Sequence, residues 1–119
     1  MATFSKSILS GSTDGKAILV AATATPGTLV HTGPTTTTTL HEVWLYAVNT
    51  SASDVKLTVE WGEATAPNGN IEYTVKAENG LYLITPGLLL KGNATALTIK
   101  AFAGTTNVIA LHGYVNVIA

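Results

Sequence analysis

An all-β fold, an antiparallel β-sandwich of about eight strands, is what three features of this chain predict, with a jelly roll as the simplest closed arrangement and an immunoglobulin-like sandwich as its main rival. Several runs alternate apolar and polar residues with a period of two. Gly, Pro and Asn clusters punctuate those runs at short intervals, and no segment sustains the 3.6-residue period of a helix. Twenty threonines, five of them consecutive at Thr35 to Thr39, add the β-branched bias expected of strands.

Residues 1–15 mix small and polar side chains and close on Asp14-Gly15, a step suited to a tight turn because glycine accepts positive φ. This reads as an extended N-terminal arm leading into a single domain over residues 16–119. Phe4, Ile8 and Leu9 are isolated apolar residues in the arm, and need either the body of the domain or a neighbouring molecule to dock on. Ala17 to Thr25 reads as a buried strand stopped by Pro26-Gly27, and Thr28 to His31 as a short one closed by Gly33-Pro34. The threonine run that follows reads as an exposed loop or edge strand.

Leu40 to Val48 is the most aromatic segment. Val43, Leu45 and Ala47 point one way and Trp44, Tyr46 and Val48 the other. Both faces are apolar, so the strand requires a cover on each side: the core on one, a loop or a second subunit on the other. Asp54 to Trp61 alternates cleanly, with Val55, Leu57, Val59 and Trp61 inward and Lys56, Thr58 and Glu60 outward. After a loop over Gly62 to Asn70, Ile71, Tyr73 and Val75 repeat the signature. Leu81 to Ile84 forms a short strand, Pro86-Gly87 a turn before Leu88 to Leu90, and Ala94 to Phe102 a further strand. In the last element, Asn107 to Ile118, Ile109, Leu111, Val115 and Val117 share one face and His112, Tyr114 and Asn116 the other. Gly113 interrupts it as a bulge or a close backbone approach.

Composition narrows the function. The chain has 119 residues, enough for one core, and only 11% are charged against roughly 25% in an average domain, while 46% are hydrophobic. So little charge favours assembly into something larger. The net charge is −1, with six lysines, no arginine and no basic cluster, so nucleic acid is not an expected partner. The absence of cysteine removes disulfides and thiolate metal sites. The N-terminus lacks the pattern of an export signal, and the longest apolar run, Ala17 to Ala22, is too short to cross a bilayer, so no membrane role is expected.

No catalytic pattern emerges, and the expectation is a protein that is not an enzyme and carries no cofactor or metal. His31, His41 and His112 lack metal-ligand spacing. There is no Gly-x-Ser-x-Gly elbow, and Glu60 and Glu72 read as solvated carboxylates on strand faces rather than a catalytic pair. Asn49-Thr-Ser51 and Asn93-Ala-Thr95 fit a glycosylation pattern but read as turns. Trp61 and Tyr73 share the phase of aliphatic neighbours and belong to the core. Trp44, Tyr46 and Tyr114 are less constrained.

Four stretches, Glu42 to Ser51 (EVWLYAVNTS), Gly80 to Gly92 (GLYLITPGLLLKG), Leu97 to Gly104 (LTIKAFAG) and His112 to Val115 (HGYV), together resemble the small β-sandwich virion proteins of tailed bacteriophages, in particular head decoration or cement proteins. The likeness spans roughly Leu40 to Ala119. It implies a homotrimer on the capsid surface of the virion, made in the host cytoplasm, with the major capsid protein as partner and an N-terminal arm gripping capsid subunits. Carried onto this sequence, the capsid-contact residues are Phe4, Ile8 and Leu9, and the subunit interface includes Trp44, Tyr46 and Val48. The alternative is a tail, neck or fibre appendage that binds a host-surface glycan through the loops 62–70 and 32–39 with Trp44 on their rim.

Overall fold

The computed structural model describes residues 2–119, which form nine strands and no helix. They are β1 (Phe4–Ile8), β2 (Ile18–Leu19), β3 (Thr28–Thr32), β4 (Leu40–Asn49), β5 (Val55–Trp61), β6 (Asn70–Val75), β7 (Tyr82–Lys91), β8 (Thr98–Ala103) and β9 (Ile109–Ile118). Five strands make one sheet in the order β1-β9-β4-β7, with β2 also against β9. The other sheet is β3-β8-β5-β6. Every pairing is antiparallel. The pairs β5·β6, β4·β7, β3·β8 and β1·β9 are nested one outside the next, so a long ladder of hairpin-like pairs is folded over into two layers.

The core between the layers follows from strand alternation. Val43, Leu45, Ala47, Leu111 and Val115 enter it from the first sheet, and Val55, Leu57, Val59, Ile99 and Ala101 from the second. Trp61, Ile71, Tyr73 and Val117 pack at its margin. Each of these inward residues on β4, β5, β6 and β9 has the phase that alternation assigns it.

Five local readings are corrected. The segment expected as an arm is an edge strand: β1 pairs with β9 from Phe4↔Ile118 to Ile8↔Tyr114, and Thr3 and Ala119 exchange two backbone hydrogen bonds. Leu9, expected on a partner, is only 1% exposed and fills this chain's own core. The apolar run from Ala17 contributes just the two-residue β2, because Val20 and Ala22 then bond to the ends of β9 and β8 and carry the chain from one sheet to the other. Pro86-Gly87 is not a turn between strands. It lies inside the ten-residue β7, where the register against β4 shifts on either side of Trp44↔Pro86. An edge strand tolerates the missing Pro N–H, and Gly87 takes the positive φ of 74° that the bulge requires.

The fifth correction is Glu60, which is 2% exposed rather than solvated. The loop before β3 folds across the outer face of β5 and supplies its partners: the Gly27 N–H donates to Oε1 at 2.7 Å and the Thr25 hydroxyl donates to Oε2. At Gly113 the ladder between β4 and β9 continues without a shift, so this glycine marks a close approach and not a bulge. A Cβ there would collide with the backbone oxygen of Trp44.

Candidate interaction face

Alternation that sends Val43, Leu45 and Ala47 into the core sends Glu42, Trp44, Tyr46 and Val48 to the outer face of the five-stranded sheet. That face is arranged in cross-strand rows. Phe4, Ile118 and Leu40 form one row, Lys6, Asn116 and Glu42 the next, and Ile8, Tyr114 and Trp44 the third. His112 beside Tyr46 continues the pattern. Phe4 is 73% exposed and Ile8 46%, and Leu83 and Leu89 on β7 extend the apolar surface to the opposite edge.

Polar groups fix this surface in one arrangement. Trp44 Nε1 and Asn116 Nδ2 each donate to Glu42 Oε1 at 2.8 Å. These two bonds, Asn116 first and Trp44 second, hold the Glu42 carboxyl below the usual carboxylate range, so it stays ionised at neutral pH. The Trp44 indole leans over Gly87 of β7: a Cβ on that glycine would stand 3.0 Å from indole Cζ2. Tyr114 stacks against Trp44 at a centroid distance of 6.2 Å and 9° between planes, and Lys6 Nζ sits 5.2 Å from the Tyr114 centroid. A concavity of about 440 Å³ opens between Phe4, Lys6, Glu42, Asn116 and Ile118. Among the described residues Lys6 and Glu42 have no ion-pair partner, since the only salt bridges are Lys56–Glu72 and Lys76–Asp54.

A second polar cluster lies where β1 leaves the first sheet for β3. The Ser10 N–H donates to His31 Nδ1 at 3.0 Å, which places the His31 proton on Nε2 and directs it to His41 Nδ1, 2.8 Å away. Ser10 Oγ in turn accepts the Thr32 N–H, and the Gly11 N–H donates to the Val30 carbonyl. His31 is pushed down to about 4 by burial and then by His41, and burial also lowers His41. His112 stands apart on the outer face, and no group of three or more metal-capable side chains forms among the described residues. The pair is a stitch between the N-terminal segment, β3 and β4.

No family model, curated protein or solved structure matches this chain.

The structure brings Phe4, Ile8, Trp44, Tyr46 and Val48 onto one face, although the sequence placed them in two separate roles. Leu9 belongs to the core instead. Trp44 stands at mid-strand, fifth of the ten residues of β4, and not on the rim of the loops 62–70 and 32–39. Lys6, Glu42 and Asn116 are the members that sequence reasoning missed. Their phase on β9 and β4 was readable, but recognising Lys6 required knowing that residues 4–8 form a strand beside β9.

Proposed function

We propose that this chain is a structural virion protein, a jelly-roll module that decorates the outside of a phage head and stabilises the shell by binding the major capsid protein. The observation that carries this reading is the outer face of the five-stranded sheet, where exposed Phe4 and Ile8 lie beside half-buried Trp44 and Tyr114. Contiguous exposed apolar surface on a small domain with 11% charged residues is the mark of a protein that works by docking. The nested strand pairing supports the jelly-roll assignment. Rigidity suits the role: a module that binds only the assembled shell raises its apparent stability by mass action, without chemistry.

The test is addition of the purified protein to heads that lack it, followed by sedimentation and cryo-electron microscopy. Saturable density on the head lattice is expected, with the heads resisting heat or chelators better than undecorated ones. The double variant Phe4→Ser, Ile8→Ser removes the most exposed apolar residues of β1 and is expected to abolish that binding while leaving the fold intact. Retention of full binding by this variant refutes the reading, and density confined to the tail or neck reassigns it to an appendage.

A further inference from the structure

The rows of the outer face are self-complementary, and we infer that two copies of this chain pair face to face through it, about a two-fold axis running along β9. The inference concerns the free protein and stands apart from shell attachment. It turns on the residues flanking β9. Lys6 on β1 and Glu42 on β4 are both register partners of Asn116, one on each side. A two-fold axis lying along β9 in the plane between two stacked sheets exchanges the two sides. It therefore sets Lys6 of each copy over Glu42 of the other, and places both Asn116 residues at the axis.

The same operation resolves the neighbouring rows. Phe4 and Leu40 flank Ile118, so each Phe4 meets the other copy's Leu40. Ile8 and Trp44 flank Tyr114, so each Ile8 meets the other copy's Trp44. One axis thus matches the face's unpaired cation to its unpaired anion and its apolar residues to apolar residues. An isologous interface requires this reciprocity, in which i contacts j and j contacts i. The ionised state of Glu42 and the absence of an ion-pair partner for Lys6 among the described residues leave both charges available for it.

Size sets the strength. The axis along β9 leaves β7 outside the overlap, so the contact is made by β9, β4 and the five-residue β1, three strands spanning about 14 Å across and at most about 33 Å along, which is below the usual size of a stable pair. A reversible, concentration-dependent dimer follows. It covers in solution the β1, β9 and β4 part of the face proposed to meet a shell and leaves β7 open. It also differs from the trimer implied by resemblance, in which no reciprocal Lys6–Glu42 contact is required.

Sedimentation velocity from micromolar to near-millimolar concentration tests the pair, with circular dichroism confirming that each variant is folded. A monomer–dimer equilibrium is expected for the parent chain. Lys6→Glu and Glu42→Lys each place like charges opposite one another and are expected to weaken the dimer by about tenfold or more, and the combined variant, with the pair reversed, to restore it. Because Glu42 also holds Trp44, a second measurement leaves both of these side chains and their mutual hydrogen bond in place. The chain has no cysteine, so Asn116→Cys gives a single thiol at the axis, and a short bismaleimide is expected to cross-link it to dimer. Lys100→Cys, on the other sheet, is expected not to cross-link. A monomer at every concentration, a trimer, a dimer indifferent to the single reversals, a combined variant that stays weak, or equal cross-linking at positions 116 and 100 overturns the inference.

Discussion

His31 accepts a backbone N–H on one ring nitrogen and donates from the other to His41, so it is held in one neutral tautomer with no place for a second proton. Its folded pKa of about 4 lies below the ordinary histidine value of 6.5 that an unfolded chain shows. The unfolded state therefore binds the proton first on acidification. The stability it contributes is complete above about pH 6.5 and is lost as the pH falls toward 4, amounting to about 3 kcal/mol. His41, lowered in the same direction, adds to the slope. Urea unfolding at pH 7.5, 6, 5 and 4.5 is expected to show a falling midpoint, and His31→Gln to flatten the dependence between pH 6.5 and 4.5. Glu60 makes a different residue-scale prediction, since its carboxylate is the acceptor for Gly27 N–H and the Thr25 hydroxyl. Glu60→Ala leaves both donors without an acceptor under the loop and is expected to cost about 2–4 kcal/mol, while Glu60→Gln keeps one acceptor oxygen and costs less. Equal unfolding midpoints for Glu60→Ala and the parent would show that the loop does not depend on this group.

At the scale of the strand, glycine decides what the outer face looks like. Gly87 combines φ of +74° with an indole already 3.0 Å from where its Cβ would stand, so Gly87→Ala strains the bulge and pushes Trp44 outward. A loss of about 1–3 kcal/mol is expected, with a red shift of tryptophan emission. Gly113→Ala is expected to cost more, because its Cβ meets backbone of the central strand β4 and not a side chain that can rotate away. A ranking in the opposite order by chemical denaturation contradicts the packing described for these strands. The same strands show what was legible in sequence. Val55, Leu57 and Val59, or Leu111 and Val115, announce their face because alternation is a local property of one strand against one core. Glu60 misled because its cover arrives from residues more than thirty positions earlier, and β7 was split at Pro86 because an edge strand absorbs a proline that a central strand cannot. The candidate face was half visible. Trp44, Tyr46 and Val48 were identified as needing a cover, whereas the contribution of Lys6 depends on a β1·β9 pairing that no local pattern encodes.

For the molecule as a whole, the decisive question is whether residues 2–12 are an appendage or part of the sandwich. In the structure they belong to it: β1 closes one edge of the five-stranded sheet, the backbones of Thr3 and Ala119 bond to each other, and Ser10 and Gly11 are tied to β3 on the opposite sheet. Leu9, between these two attachments, is 1% exposed and sits in the common core. An arm that reaches for a neighbour contributes nothing to the melting of the isolated protein, whereas a segment that plugs the core contributes as any core residue does. Leu9→Ala is expected to cost about 3 kcal/mol, and in a domain of this size that lowers Tm by roughly 10–15 °C. Phe4→Ser, at a position 73% exposed, is expected to leave Tm within about 3 °C, in line with ordinary surface substitutions. Deletion of residues 2–12 removes the ladder, the plug and the histidine stitch together, and is expected to leave no cooperative melt at all. A deletion variant that melts like the parent would return this segment to the role of a free arm, and Phe4 and Ile8 would then reach a partner without the rest of the outer face beside them.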